Sequence, residues 1–179
     1  MKFSQQKIEG VYLIVPEPFT DERGLLRRHF CKKEFENAGI NNEVRQCNIS
    51  ENKLKYTLRG FHYQKPPYGE DKTISCINGS IFDIVIDLRK ESKTYLKWES
   101  YNLNKENRLS LFVPKGCANA YMTLENDSWI FYYHSEFYSP GHEGGIRFDD
   151  PFFNIEWPEI PKMISHKDNT LPDFNPNLL

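Results

Sequence analysis

Val11-Tyr12-Leu13-Ile14-Val15 is a β-branched and aromatic run stopped by Pro16 and Pro18, which predicts a first strand. Thr20-Asp21-Glu22-Arg23-Gly24 is a turn signal, and Leu25 to Phe30 predicts a second short strand. Lys32 to Gly39 is the best helix candidate, about two turns long and closed by a glycine at the left-handed cap position. Beyond it helical periodicity stops. Val44 to Ser50 alternates with period two, so Gln46, Asn48 and Ser50 share one face; pointed inward, they form a row of donors and acceptors for a polar ligand. Leu58 to Gln64 predicts a strand with one histidine in an apolar, aromatic run, followed by a turn at Pro66-Pro67-Tyr68-Gly69. Lys72 to Ile77 and Ser80 to Arg89 predict two strands joined by a hairpin turn at Asn78-Gly79. Further strands are expected over 98–103, 109–113, 117–124 and 129–133, at the spacing of about 8–12 residues found in sandwiches and barrels. From about Pro151 five prolines exclude long regular elements, and Phe152 to Leu179 is expected as an extended arm over the barrel or a neighbouring subunit.

At 179 residues the chain suits one domain over 1–179 with a real core. A net charge of −2 offers no general attraction to nucleic acid or anionic membrane. No apolar run reaches the roughly 18 residues that span a bilayer, and the N-terminus lacks a signal-peptide core, so a cytoplasmic location is expected. Cys31, Cys47, Cys76 and Cys117 are scattered singly, which argues against a zinc knuckle or disulfide framework and suggests small core hydrophobes. The many aromatics, with frequent Pro and Gly, fit β structure with turns.

The chemistry centres on His62. The metal pattern of small jelly-roll or cupin barrels needs His-x-His and a later Pro-x-Gly-x-x-His. Here Gln64 and Asn119 occupy the last position of each, and one imidazole with two amides is a poor ligand set, so no metal is expected. The surviving framework still resembles a cupin jelly roll. No nucleophile elbow and no glycine-rich phosphate loop is present. Proton abstraction remains: neutral imidazole is a usable base near pH 7 when a carboxylate fixes its tautomer. Asp83 and Asp168 are candidates for that carboxylate. Tyr132 or Tyr133 is a candidate acid on the far side of a substrate; alternation turns only one inward, and spacing alone leaves both open. His29, His134, His142 and His166 read as surface or loop residues, and Trp98, Trp129 and Trp157 as core.

Asp21 to Gly24, Gln46 to Ser50, Leu58 to Gln64, Gly79 to Arg89, Pro114-Lys115-Gly116 with Ala118, Ile155 to Pro158 and Lys167-Asp168 follow in an order that resembles the dTDP-4-dehydrorhamnose 3,5-epimerases and relatives acting on nucleotide-linked 4-keto sugars, from about residue 8 to 172. The resemblance implies a cofactor-free homodimer of jelly rolls. In it His62 is the base beside the C4 ketone, held by Asp168; Tyr132 is the acid on the opposite face; and Lys72 stabilises the enolate. It further implies that Arg23 and Arg59 pair with the diphosphate, that Gln46 and Asn48 line the nucleotide side, and that Tyr138 stacks on the base. The sequence departs from the family at Asn119, where a histidine is usual, and at Leu25-Leu26-Arg27-Arg28, where aromatics and an acidic residue are usual. Arg28 offers donors only, which suits guanine better than thymine and suggests a GDP-linked 4-keto heptose or hexose of capsule or O-antigen synthesis. The alternatives are a non-catalytic sugar-nucleotide binding module and a 3,4-ketoisomerase.

Overall fold

The computed structural model describes residues 1–40 and 43–178, so Leu179 at the end of the predicted arm lies outside the described residues. The chain is mainly β. Its strands are β1 Lys2–Gln5, β2 Tyr12–Val15, β3 Phe19–Asp21, β4 Gly24–Leu26, β5 Gln46–Asn52, β6 Leu58–Gln64, β7 Lys72–Asn78, β8 Ser80–Asp87, β9 Trp98–Asn104, β10 Ser110–Val113, β11 Cys117–Thr123, β12 Ser128–His134 and β13 Glu143–Gly145. Among the described residues there are also two short α-helices, α1 Lys32–Asn37 and α2 His166–Asn169, and one 3-10 turn, Pro176–Leu178. Six strands pair in the order β1-β2-β10-β7-β12-β5 and five in the order β13-β6-β11-β8-β9, while β3 and β4 form a separate hairpin. This is the expected jelly-roll, cupin-type architecture, built as two facing sheets that do not close into one barrel.

Period-two alternation sorts the side chains into three apolar layers. Ile74, Val85, Leu111, Tyr121 and Ile130 belong to the cluster between the sheets. Phe35 of α1 packs with Ile14, Phe112 and Tyr133 on the outer face of the six-stranded sheet. Phe61, Ile84, Ile86, Ala118 and Ala120 face outward from the five-stranded sheet, where Phe153 and Trp157 of the C-terminal arm cover them. The arm is largely irregular, as its prolines require, and follows β6 closely enough for Met163 to accept from the Leu58 N–H. It contains α2, and a 3-10 turn at Pro176–Leu178, which the reading of an extended arm did not include. Ser165 caps α2 by accepting from the Asp168 N–H at 3.0 Å.

Several expectations are corrected. The strand over 25–30 stops at Leu26. Asn78-Gly79 is not a hairpin: β7 pairs with β10 and β12, whereas β8 pairs with β9 and β11, so the glycine is a corner between sheets. Its φ of +74° and the Ser128 hydroxyl and Cα, which a Cβ would overlap, explain why glycine serves there. Cys76 and Cys117 are buried, but Cys47 is exposed and Cys31 half-buried. Trp129 is exposed rather than core.

Candidate active site

His62 sits in the middle of β6, directly across from Asn119 of β11, and alternation turns it to the inner face while Phe61 faces the arm. The strands come close here. At Gly60, which has φ +114°, a Cβ would stand 2.6 Å from the Asn119 carbonyl oxygen and 2.7 Å from Ala120, so only glycine allows the two strands to approach this closely at the irregularity where their register shifts beside the histidine.

The question of which carboxylate serves His62 is answered by α2. Asp168 Oδ1 lies 2.7 Å from His62 Nε2, and its Oδ2 accepts from the Gly60 N–H at 3.3 Å. Burial pushes the Asp168 carboxyl up, but hydrogen bonds from His62, Gly60 and Ser165 together hold it below the usual carboxylate range. An ionised carboxylate only accepts, so Nε2 carries the proton and Nδ1 keeps the lone pair.

Asp83 has a different partner. Asn119 Nδ2 donates to its Oδ1 at 2.7 Å and to the Ile84 carbonyl at 3.1 Å. Both amide hydrogens of Asn119 are thereby taken up within the protein, and its Oδ1 is left as the acceptor. Asp83 is fully buried, its Oδ2 has no partner, and burial raises its carboxyl far above the ordinary value. The pH consequence has a definite sign: a raised folded-state pKa means that the contribution of Asp83 to stability is complete below about pH 4 and is lost as pH rises through the folded value. Asp83→Asn is therefore expected to be more stable than the parent at pH 7, with the gain vanishing below about pH 4 in denaturant titrations. A variant less stable at pH 7 than at pH 4, relative to the parent, would show that the group is ionised.

A cavity of about 420 Å³ opens between the sheets, in the range of small-molecule sites. His62, Asn119 and Tyr121 line it from the five-stranded sheet, and Gln46, Asn48, Lys72, Ile74, Tyr132 and His134 from the six-stranded sheet. The choice between the tyrosines is geometric: Tyr132 lines the cavity, whereas Tyr133 points outward and packs with Phe35. Burial raises the Tyr132 phenol, Arg59 opposing and Glu70 adding to the effect, so the hydroxyl stays protonated at neutral pH. Lys72 Nζ is 3.3 Å from the His62 carbonyl and 3.2 Å from Glu70 Oε1. Arg59 lines the cavity with its Nε tied to Asn52 Oδ1 at 2.8 Å, which leaves the guanidinium Nη groups for an anion. At the rim, the Tyr138 hydroxyl donates to Glu143, and Lys167 Nζ stands 3.5 Å from the same carboxylate.

Two predicted residues lie elsewhere. Arg23 pairs with Asp21 at the exposed tip of the β3–β4 hairpin, and Arg28 donates to Glu34 at 2.7 Å in a separate cleft with Phe19 and Leu26. The cavity in turn contains residues that the sequence reading missed. His134 is buried in its wall, not a surface residue, and Glu70 stands beside it. Position 134 shares the face of Tyr132 by alternation, a signal available had the strand been extended by one residue. Glu70 precedes β7 and gave no such signal. His29 is also misread: both ring nitrogens are buried without a partner against Phe131 and Tyr133, and burial pushes its pKa down to about 4. Among the described residues no group of three His, Cys, Asp or Glu is placed to hold a metal ion, and no helix is long and apolar enough to cross a membrane.

The family model for dTDP-4-dehydrorhamnose 3,5-epimerase matches residues 5–176. The chain belongs to this epimerase family. It is 38% identical over 169 residues to the dTDP-4-dehydrorhamnose 3,5-epimerase of Shigella flexneri, covering 94% of this chain and 93% of the relative. The Bacillus anthracis dTDP-4-dehydrorhamnose 3,5-epimerase, solved with TDP and PPi bound, superposes with a TM-score of 0.93 at 34% identity, covering 97% of this chain and 99% of that one. A 3'-monoepimerase from Streptomyces bikiniensis in complex with dTDP-quinovose gives 0.87 at 30% identity, covering 94% and 85%. Membership makes this chain an isomerase of the dTDP-4-dehydrorhamnose 3,5-epimerase family, and its cupin-type fold is the family's.

Proposed function

We propose that the chain epimerises a nucleoside-diphosphate-linked 4-keto sugar next to its ketone. The observation that carries this reading is the His62–Asp168 pair facing Tyr132 across one cavity, with Lys72 beside the base. The ketone acidifies the neighbouring C–H, so base, acid and a fixed positive charge at the carbonyl oxygen suffice without a cofactor. His62 Nδ1 takes the proton from one face, Lys72 stabilises the enolate oxygen, and Tyr132 delivers a proton to the other face. Arg59 holds the diphosphate, Gln46 and Asn48 the nucleoside side, and Tyr138 stacks on the base. Asn119 leaves a single imidazole on its sheet near the sugar, which narrows the reaction to C3. The whole chain acts as one cytoplasmic domain that supplies sugars for capsule or O-antigen.

Thymidine diphosphate is the nucleotide of the relatives and the one we assign. A guanine base is the second reading and rests on Arg28. Both Arg23 and Arg28 need a second copy to meet a substrate. The hairpin fits that role, because its paired Phe19 and Leu26 are 64% and 75% exposed and unlike an apolar surface left to water. We therefore propose a homodimer whose hairpin reaches the partner's cavity; a monomer in sedimentation at assay concentration would remove that part.

The experiment incubates the protein with a dTDP-linked 4-keto-6-deoxyhexose in D2O and follows the sugar by NMR. Deuterium at C3 with inversion, and none at C5, is expected. Deuterium at both carbons makes it a 3,5-epimerase, a moved carbonyl a ketoisomerase, and no exchange with tight dTDP binding a binding module. Faster exchange with the GDP-linked sugar would transfer the assignment to guanine.

A further inference from the structure

The cavity wall on the six-stranded sheet carries a second imidazole–carboxylate contact, opposite the His62–Asp168 pair. Glu70 is nine-tenths buried, and its two oxygens have separate partners: Oε1 is 3.2 Å from Lys72 Nζ and Oε2 is 2.8 Å from His134 Nδ1. The contact to His134 is an ion contact rather than a straight hydrogen bond, because the Nδ1 direction is off line. The far nitrogen of the same ring, Nε2, lies 3.3 Å from Asn48 Nδ2. These four side chains form a continuous line along the wall, from the lysine beside the base to the amide on the nucleoside side.

The chemistry of each link is constrained by the next. Burial works against a charge on Glu70, but His134 and Lys72 together bring its carboxyl below the ordinary value, so it is ionised at neutral pH. A carboxylate oxygen 2.8 Å from a ring nitrogen is tolerable only when that nitrogen bears the proton. With that proton on Nδ1, Nε2 is the ring atom that meets Asn48, whose NH2 is turned to the ring and whose carbonyl is turned away. Lys72 has three N–H donors. Glu70 and the His62 carbonyl take two, which leaves one for the cavity and ties the ammonium to the backbone of the base.

We propose that Glu70 is a positioning residue of the epimerase: one oxygen sets the Lys72 ammonium beside His62, and the other fixes the His134 imidazole and, through it, the Asn48 amide. This rests on the reading of the cavity as an epimerase site. Glu70→Gln keeps the shape but supplies one acceptor where two are needed. It is expected to lower kcat by about 10²-fold, the scale of a misplaced catalytic group, and to raise KM as well. His134→Asn breaks only the nucleoside arm and is expected to raise KM about 10-fold with kcat held within about threefold, as for one lost hydrogen bond. Glu70→Asp retains the charge and is expected to recover part of kcat.

The readout independent of turnover is the ¹⁵N spectrum of the His134 imidazole, assigned by its loss in His134→Asn, together with dTDP affinity by calorimetry. The parent is expected to show a proton on Nδ1, the Glu70→Gln variant a mixture of tautomers and weaker dTDP binding. A parent proton on Nε2, or a Glu70→Gln protein with parental kcat, KM and imidazole shifts, overturns the proposal. If the parent turns over no nucleotide-linked 4-keto sugar, the epimerase reading fails, and the tautomer and dTDP affinity then judge the positioning by themselves. If Glu70→Gln does not fold, Glu70→Asp and His134→Asn make the same comparison.

Discussion

Replacing His62 by asparagine is expected to abolish measurable epimerisation, with kcat reduced by about 10²–10⁴-fold, the contribution of a positioned general base. The geometry gives that expectation its size. Nε2 is committed to Asp168, so Nδ1 is the ring's one basic atom, and asparagine has no basic nitrogen to replace it. The cost to the fold is small by comparison. The His62 side chain is 45% exposed, so little apolar burial is lost, and Asp168 keeps the Gly60 N–H on its carboxylate and its own backbone N–H on the Ser165 hydroxyl. Binding of dTDP is expected to stay within a few-fold of the parent, since Arg59, Gln46 and Asn48 are untouched. The measurement is deuterium exchange at C3 alongside dTDP titration. Parental exchange in this variant would remove His62 from the chemistry, and parallel loss of exchange, binding and cooperative unfolding would mean that the substitution acts on the fold instead.

How much of this was legible in the chain depends on which kind of signal each residue gave. The strands that carry the cavity follow from alternation, and the shared face of Gln46, Asn48 and Ser50 was readable because a strand has only two faces, whereas its inward direction is set by packing against the other sheet. The partnership of His62 with Asp168 was different. They are 106 residues apart and meet only because a largely irregular arm crosses β6 and includes one capped turn, which no local periodicity encodes. The same limit explains Glu70, whose role comes from what stands on the neighbouring strand. It explains Asn78-Gly79 as well, since a strong local turn sequence serves equally for a hairpin or for a corner between sheets. Arg23 and Arg28 show the converse: motif resemblance assigns them to substrate, and one chain alone holds them away from the cavity.

Tyr132→Phe is expected to separate two steps that the parent couples. The phenylalanine ring keeps the packing of Tyr132 in the cavity wall and removes only the hydroxyl, so His62 can still take the proton and Lys72 can still stabilise the enolate. What is lost is the donor on the opposite face. The enolate then has one return route, from the His62 imidazolium on the face it left, and that regenerates the starting configuration. Because His62 is nearly half exposed, its proton exchanges with solvent before return. The variant should therefore wash deuterium into C3 of unchanged substrate at a rate within about tenfold of the parent, while inverted product falls by about 10²-fold or more, the loss of one positioned acid. NMR in D2O reads both at once. Equal loss of exchange and inversion would place the phenol in the abstraction step, for instance at the enolate oxygen. Undiminished inversion would require another acid on that face and would remove Tyr132 from the reprotonation step.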